Sequence, residues 1–426
     1  MHRQQFRCTQ HRRVTHLPGQ RAAGGYLPAA ERAVRGLSHA RHHHAAAAPA
    51  PRGSYRAGAL GGTLTRPAEP PLAGSRRPGT GLPRAVIAVD AMGGDHAPAA
   101  IVAGAVGAFR DSGIPVLLTG RPGQLRPLLA GLDALAEIPV VTAEESLSMA
   151  EGAMASWRRP RSSIAVACQL VRRGQAAAVV SAGPTGGIVA TARLRLRPLP
   201  GVLRPALAVV LPTRPGPTFL VDAGAIADPK PEMLVQFAQL GVAYAQTAYG
   251  IEQPRVGLLT IGAEPGKGNK LARRAQELLD DDPPHGGLPI NFVGNVEGGD
   301  LLTGQVDVIV TDGFTGNVAL KTLEGAAEFA AGQLRAVLGG SRADRLGSLL
   351  QRRGLRELAG RLDTESYGGA ALLGLEGNVV IAHGAAKARS ITAACVLAAG
   401  LASGEITEKI RERLGPGRGG HFLRRP

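Results

Sequence analysis

The stretch 85-AVIAVDAMGGDHAP-98 decides the fold class of this chain. Its small apolar residues up to Asp90 are typical of a strand that is buried on both faces, and a loop of glycines and polar residues follows directly. Ligands of parallel sheets bind beyond the carboxyl ends of the strands. We therefore expect the loop after Asp90 to form one wall of a ligand-binding crevice.

The same pattern recurs along the rest of the chain. Apolar runs pass into polar loops in AAAVVSAGPTGG, TFLVDAGAIAD, RVGLLTIGAEPGKGN, DVIVTDGFTGN and NVVIAHGAA, with helix-like segments such as 232–249 and 270–279 between them. Near-continuous apolar strands that alternate with helices predict a mainly parallel sheet covered by helices on both faces. In such a sheet, we expect the polar loops to meet at one rim.

The net charge of +16 is mainly a property of the first 83 residues. That segment holds thirteen arginines, no lysine and two glutamates, a net +11, which leaves only +5 for the remainder. We therefore expect no nucleic-acid partner. Because segment 1–83 cannot bury enough apolar surface to offset its ordering entropy, we predict a disordered basic extension, with a targeting peptide as the alternative. Residues 84–412 are predicted to form the folded domain and 413–426 a flexible basic tail.

Several classes of protein are disfavoured by what the sequence lacks. Cys8, Cys168 and Cys395 lie far apart without metal-type spacing, which favours buried free thiols in a reducing compartment and predicts no metal site. No G-x-G-x-x-G opens a helix after a strand, so a dinucleotide enzyme is disfavoured and no cofactor is expected. No uninterrupted apolar stretch reaches the about 20 residues of a membrane-spanning helix, so a soluble protein is predicted.

Residues 326–362 break the strand-helix alternation. Leucines recur there at helical spacing with arginines between them, which predicts two or three short amphipathic helices that protrude from the domain. One interpretation is a helical flap or dimer contact. The other, given equal weight, is docking on an anionic membrane surface or an acidic protein.

Two of the polar loops suit an anion. A helix predicted to begin near Gly316 would place Asn317 and Lys321 on one face close to its positive end. The stretch 262-GAEPGKGN-269 fails as a nucleotide-binding P-loop, because its spacing is one residue short and Gly268 stands where Ser or Thr would hold magnesium. Its Lys267 and Asn269 could still bind phosphate, although a flexible turn with a solvated lysine is the simpler interpretation.

Taken in order, the motifs resemble those of the acyl-ACP:phosphate acyltransferase family, the PlsX proteins. The resemblance covers about residues 86–399 and is carried by VDAMGGDHAP, SSI, VVSAGPTG, RPALAVVLPT, LVDAGA, KPEMLVQFA, GKGN, NFVGNVEGGD, DGFTGNVALKTLEG, YGGAALLG and AHG. It implies an α/β/α sandwich akin to that of phosphotransacetylases. It also implies transfer of a fatty acyl group from acyl carrier protein to inorganic phosphate, without a redox cofactor. A homodimer in the cytoplasm with peripheral association to the cytoplasmic membrane is implied as well.

This chemistry assigns hypothetical roles to the polar residues. Phosphate must be held and aimed at the thioester, and donors must stabilise the tetrahedral intermediate. We predict a catalytic set with His96 as the base, Lys267 as an anion contact and Asn295 as a donor. The predicted substrate-binding residues are Asp90, Gly93, Gly94, Asp95, Thr185, Lys230, Asn269, Asp312, Asn317, Lys321 and His383.

The resemblance also implies partners. The carrier protein is acidic in general, so the arginines of 326–362 would receive it by electrostatic attraction. A downstream acyl-phosphate:glycerol-3-phosphate acyltransferase is a possible further partner. Pro184, Ile226, Gly299 and Ile381 stand where the family usually has polar residues. These departures leave two alternatives open: a phosphotransacetylase-like enzyme that uses a short acyl-CoA, or a catalytically weakened membrane-associated scaffold.

Overall fold

A computed structural model describes residues 85–213, 216–281, 287–339, 351–355 and 368–415, all of which belong to the compact unit Pro67–Pro426. The predicted extension 1–83 and nearly all of the predicted tail lie outside the described residues. The same is true of much of the predicted amphipathic region, including its leucine-rich part from 340 to 350.

One sheet of eleven strands runs through the domain in the order β3-β2-β1-β4-β11-β10-β5-β6-β9-β7-β8. Its central strands are short and apolar, and all four residues of the first strand are buried, which confirms the interpretation of the opening stretch. The strands are β1 Ile87–Asp90, β2 Val116–Gly120, β3 Val140–Thr142, β4 Ala178–Ser181, β5 Ala206–Leu211, β6 Thr218–Val221, β7 Arg255–Leu259, β8 Asn291–Val296, β9 Val308–Val310, β10 Ala370–Leu373 and β11 Asn378–Ile381.

The strands fall into two parallel sets that run in opposite directions. Strands β1, β2, β3, β4 and β11 are mutually parallel, and so are β6, β9, β7 and β8. The antiparallel pairs β11–β10, β10–β5 and β5–β6 join the two sets. The expectation that all polar loops share one rim is therefore wrong, because the carboxyl ends of the two sets point in opposite directions.

Helices cover both faces of the sheet, as the sequence predicts for an α/β/α sandwich. Neighbouring strand residues alternate between two cores: Val89 packs into one and Ala88 into the other. The first core takes residues from α1 Ala99–Ser112, α2 Pro122–Ala130, α6 Pro231–Tyr249, α7 Lys270–Leu279, α9 Ala388–Ser403 and α10 Ile406–Leu414. The second takes residues from α3 Ala155–Arg158, α4 Ser163–Arg172, α5 Thr185–Leu196 and α8 Gly313–Gly339.

Helix α8 begins three residues before the predicted start at Gly316. Asp312 precedes it and accepts hydrogen bonds from the N–H and hydroxyl of Thr315, both at 2.8 Å, which caps the helix. The helix then continues without a break through residues 326–339. The first part of the predicted amphipathic region is therefore the distal half of this helix, with Phe329 and Val337 exposed.

The predicted domain boundary at 412 falls inside α10. Arg413 and Leu414 are buried in the domain. The Arg413 guanidinium donates to Gln239 Oε1 at 2.9 Å and to the Pro289 carbonyl at 3.0 Å. Two apolar residues of α10, Ile406 and Ile410, join the core on the same side. A buried cation with such partners belongs to the folded domain rather than to a tail.

Cys168 and Cys395 are completely buried, and burial raises the pKa of each thiol to about 12. Cys8 lies outside the described residues. No single helix in the described ranges is long and apolar enough to cross a bilayer. Helices α9 and α10 together reach the length and apolar composition of a membrane span, but a 52° bend lies between them.

Candidate active site

A cavity of about 400 Å³ opens where the two strand sets meet. Strands β5, β10 and β11 contribute an apolar wall that includes Val209, Ala370 and Ile381. Polar groups lie on the other walls, among them four of the residues predicted from the sequence: Thr185, Asn317, Lys321 and His383. The cavity therefore combines an apolar surface with a small number of polar groups, as ligand pockets usually do.

Three helices present their N-terminal turns to this cavity. Thr185 is the first residue of α5, Gly313 and Phe314 begin α8, and Ser390 lies in the first turn of α9. The first N–H groups of a helix have no partner within it, and they carry a partial positive charge. In α8, the N–H groups of Gly313 and Thr315 are already bonded to the Ile226 carbonyl and the Asp312 carboxylate. The N-termini of α5 and α9 make the space suitable for a phosphate group or an oxyanion.

Asp222 fixes the geometry of the loop beside α8. Its carboxylate accepts hydrogen bonds from the N–H groups of Leu207, Gly224, Ala225 and Ile226 at 2.7 to 3.1 Å. Burial raises the pKa of Asp222, and these four N–H donors act in the opposite direction. The carbonyl of Ile226 in turn accepts the N–H of Gly313 at 2.9 Å. Asp222 therefore organises the loop from which the cavity residues Ala223 and Gly224 come.

Lys321 is the lysine on the cavity wall. Its Nζ lies 2.6 Å from Glu324 Oε2, one turn further along α8, and about half of its side chain is exposed. Glu324 also lines the cavity, so part of the lysine charge is balanced before any ligand binds. An exposed ion pair of this kind contributes little stability. The ammonium group can therefore turn to an entering anion at small cost.

The loops after β1, β4 and β11 form a tight cluster behind two of the helix ends. Ser181 Oγ donates to Asp90 Oδ2 at 2.7 Å, and the Asp95 N–H donates to the Gly384 carbonyl at 2.8 Å. Burial raises the pKa of Asp90, against the hydrogen bonds that it accepts. Gly94 has φ of 112°, and a Cβ there would lie 3.0 Å from Ala182 Cβ. Asp90 thus links the loops after β1 and β4 and does not line the cavity.

His96 and His383 lie on adjacent loops of this cluster. His383 lines the cavity, and its Nδ1 accepts a hydrogen bond from the Ala385 N–H at 3.2 Å. A neutral imidazole that accepts at Nδ1 carries its proton on Nε2, which makes His383 a donor. His96 is exposed on the β1 loop, whose Asp95 contacts the loop after His383. His96 does not itself line the cavity, and its role as base stays a prediction.

Lys267 and Asn295 belong to a different group at the ends of β7 and β8. Asn295 Nδ2 donates to the Glu264 carbonyl at 3.0 Å, and Lys267 Nζ lies 3.9 Å from Glu264 Oε2. Neither residue lines the cavity. Seven strand steps separate β1 from β7, which at about 4.8 Å per step is roughly 34 Å along the sheet. The strand order thus does not unite His96 with the other two members of the predicted catalytic set.

Three predicted binding residues occupy helix caps. Asn269 precedes α7 and its Oδ1 accepts the Ala272 N–H at 2.8 Å. Asp312 caps α8, and Lys230 is the exposed residue before α6. Helix capping alone accounts for the presence of a polar side chain at Asn269 and at Asp312, so neither residue requires a bound ligand. The described structure gives Lys230 no such role, so its assignment remains a prediction.

Part of the cavity wall is not predicted from the sequence. Leu207, Val209 and Val210 come from RPALAVVLPT, a motif that contributes only to the family resemblance. Ser390 lies six residues after the end of the AHG motif and carries no sequence signal of its own. Ile381 departs from the family pattern, and it is a buried part of the cavity wall. Sequence patterns identify the apolar residues of this group only as core residues. Their place in the cavity wall depends on the strand order, which brings β5 and β10 between the two parallel sets.

Solved structures of low sequence identity share this fold. The EutD phosphotransacetylase from Staphylococcus aureus superposes with a TM-score of 0.50 at 15% identity, covering 75% of this chain and 94% of that one. A phosphotransacetylase from Streptococcus pyogenes gives the same TM-score and coverage at 17% identity. These similarities confirm the predicted phosphotransacetylase-like α/β/α sandwich with its mainly parallel sheet; they do not show the protruding amphipathic helices.

Sequence comparison identifies much closer relatives. A protein named phosphate acyltransferase from Thermobifida fusca is 64% identical over 76% of this chain and 90% of its own length. Another of that name from Thermus thermophilus is 46% identical over 77% of this chain and 98% of its own length. The family model described as fatty acid synthesis protein matches residues 85–409. With this coverage and identity, the chain belongs to the fatty acid synthesis protein family.

Proposed function

We propose that this protein is a phosphate acyltransferase that transfers a fatty acyl group from acyl carrier protein to inorganic phosphate. The observation that carries the proposal is the convergence of the N-termini of α5 and α9 and of Lys321 on a cavity with an apolar wall. The first features suit a phosphate and an oxyanion, and the apolar wall suits an acyl chain. The names of the relatives support the same chemistry and favour an enzyme over a scaffold.

The reaction follows from this arrangement. A phosphate oxygen attacks the thioester carbonyl and forms the new C–O bond; the C–S bond then breaks, and the carrier leaves as a thiolate that takes up a proton. Lys321, Asn317 and the N-terminus of α5 hold the phosphate, so much of the rate comes from positioning. His383 Nε2–H stabilises the developing oxyanion. His96 accepts the remaining phosphate proton.

The acyl donor and the cellular setting are part of the proposal. An apolar wall formed by Leu207, Val209, Val210, Ala370 and Ile381 favours a fatty chain over an acetyl group. The enzyme works as a homodimer in the cytoplasm, in peripheral contact with an anionic membrane where its acyl phosphate product enters lipid. A glycerol-3-phosphate acyltransferase then receives that product.

A trapping assay tests the function. Acyl carrier thioester and phosphate are supplied, and acyl phosphate is captured with hydroxylamine as the hydroxamate. We expect product that depends on both phosphate and carrier thioester, and a much lower rate with acetyl-CoA. Preference for acetyl-CoA would instead support the phosphotransacetylase alternative. A folded protein that binds carrier and vesicles without any turnover would support the scaffold.

Lys321→Ala tests the anion site within that assay. We expect the phosphate KM to rise and kcat/KM for phosphate to fall about 10²-fold, because a cationic contact to the anion is lost. Thermal stability should change little, since the lysine is half exposed and its ion pair is weak. Lys409→Ala, on α10, serves as the control and should leave kinetics unchanged. Normal phosphate kinetics in Lys321→Ala would remove this lysine from the site.

A further inference from the structure

An exposed apolar patch lies beside the cavity on the segment between β3 and α4. Met154 and Trp157 have exposed fractions of 65% and 67%, and Met149 is also exposed. Trp157, the sole tryptophan of the chain, sits on the four-residue helix α3. Large apolar side chains at such exposure, grouped on one short segment, are typical of a surface that meets a partner.

The base of this segment is firmly anchored, so the exposed side chains belong to a defined surface. Arg159 pairs with Glu151 at 2.7 Å and donates to the Ser146 carbonyl at 2.8 Å. The Ser148 N–H donates to the Glu151 carboxylate at 2.7 Å. These contacts fold residues 146–159 into a closed loop. The apolar side chains are therefore held outward rather than left on a free strand.

The segment runs along α5 and reaches the cavity mouth. A Cβ at Gly187 would lie 2.9 Å from Leu147 Cδ1, and Arg195 Nη2 donates to the Pro160 carbonyl at 2.9 Å. At the other side, a Cβ at Gly384 would lie 2.6 Å from Met149 Cε. Thr185 at the start of α5 and His383 beside Gly384 both line the cavity. The patch is thus continuous with the rim of the proposed active site.

Two arginines are close to the apolar side chains in sequence, and a third lies on α5, which packs against α3. Arg158, Arg161 and Arg193 are exposed, and within the described part of the chain none of them forms an ion pair. The nearby Glu151 is paired with Arg159, and the Glu145 carboxylate accepts the Arg161 N–H at 3.0 Å. The patch therefore presents aromatic and thioether groups beside exposed arginines, with carboxylates also on the segment. Such a surface complements an acidic protein that carries a few apolar side chains.

We propose that this patch, Met149, Met154 and Trp157 with Arg158, Arg161 and Arg193, is the docking surface for the acidic acyl carrier protein. The inference rests on the proposed function, which requires a carrier to deliver a thioester into the neighbouring cavity. A carrier bound here places its flexible acylated arm at the mouth formed by α5 and the Gly384 loop. This location replaces the predicted carrier site at 326–362 as the preferred one.

Trp157 makes binding directly measurable, because no other tryptophan contributes to the fluorescence. Titration of the full-length protein with holo-acyl carrier protein should shift the Trp157 emission to shorter wavelength. The affinity should fall steeply between about 50 and 500 mM salt, since exposed charges are screened. Vesicles of phosphatidylglycerol are the second titrant. A response to vesicles without a response to carrier would overturn the proposal in favour of a lipid surface.

Charge reversal supplies the kinetic test. Arg158→Glu combined with Arg161→Glu should raise the KM for acyl carrier thioester at least about 10-fold and leave the KM for phosphate unchanged. Turnover with an acyl-pantetheine thioester, which lacks the carrier, should also remain unchanged. Arg126→Glu on α2 is the matched control and should have no effect. An unaltered carrier KM in the double variant, or an equal effect of Arg126→Glu, would overturn the proposal.

Two further measurements distinguish carrier docking at this patch from docking on α8 and from a contact between copies of the chain. Phe329→Ala tests α8 as the docking face; a raised carrier KM there, with normal values in the arginine variant, would move the site to α8. A change of oligomeric state in the arginine variant would assign the patch to a contact between copies of this chain. If the wild-type protein makes no acyl phosphate from any donor, the proposed function fails, and the Trp157 titration still decides whether carrier binds.

Discussion

At the scale of single residues, the two histidines near the cavity show how one hydrogen bond can give two identical side chains different hydrogen-bonding roles. His383 accepts at Nδ1 from the Ala385 N–H and therefore presents a donor at Nε2. His96 has no such constraint in the described structure, apart from the anchoring of its loop through Asp95. The donor role of His383 is a proposal, and the base role of His96 stays a prediction.

Replacement of each histidine by alanine tests these roles. We expect His383→Ala to lower kcat about 10²- to 10³-fold, as removal of an oxyanion donor does. His96→Ala should lower it by about 10² to 10⁴. The rate of each variant is compared with the wild-type rate in the trapping assay.

A normal rate in one of the two variants would remove that histidine from catalysis. Normal rates in both variants would remove both. Thermal stability close to wild type is the control that each variant still folds.

At the scale of elements, close packing sets the position of α8 against the loop after β6. A Cβ at Gly316 would overlap the carbonyl oxygen of Asp222, and a Cβ at Gly313 would lie 2.7 Å from Asp222 Oδ2. Glycine is therefore needed where the first turn of α8 meets this loop. Asn317 and Lys321 follow on the same helix, so their position in the cavity depends on this contact.

Two glycine-to-alanine changes in α8 test the packing. Gly316→Ala should lower the free energy of unfolding by about 1–3 kcal/mol through overpacking, and it should raise the KM for phosphate because Lys321 shifts. Gly325→Ala on the same helix meets no atom within 4 Å. That control should stabilise the protein by ~0.5–1 kcal/mol, since alanine is the better helix former. Equal stability of the two variants would refute the packing argument.

Sequence patterns predict the elements more readily than their arrangement. The apolar runs around Val89, Val180 and Ile309 predict buried strands, and all three residues are buried in the structure. Asn317 and Lys321 can be predicted together because residues four apart on a helix always share a face. Lys267 and His96 are related by their chemistry alone, and strand order, which depends on long-range pairing, places them on different parts of the sheet.

At the scale of the whole molecule, the reversal of strand direction creates the site. Strands β5 and β10 are antiparallel to each other and lie between the two parallel sets. Their side chains form the apolar wall, while polar loops and helix ends arrive from both sets. An all-parallel sheet would place its loops at a single rim, and the cavity wall would then lack the strand residues Leu207 and Val209.

Filling the apolar wall tests its proposed occupant. Val209→Phe should raise the KM for a long-chain acyl donor about 10-fold or more, because the larger side chain takes the volume intended for the chain. The KM for phosphate should not change, and a short acyl donor should be affected less. Val293→Phe on the exposed part of β8 is the matched control. Equal effects on long and short donors would exclude this wall as the acyl site.

The burial of the two described cysteines has a consequence for an enzyme whose substrate is a thioester. Burial raises the pKa of each thiol to about 12, far above neutral pH, and both side chains are completely buried. A reactive thiolate would capture the acyl group in a sulfur-to-sulfur exchange and divert it from phosphate. Cys168 and Cys395 leave the incoming oxygen nucleophile without an internal competitor of that kind.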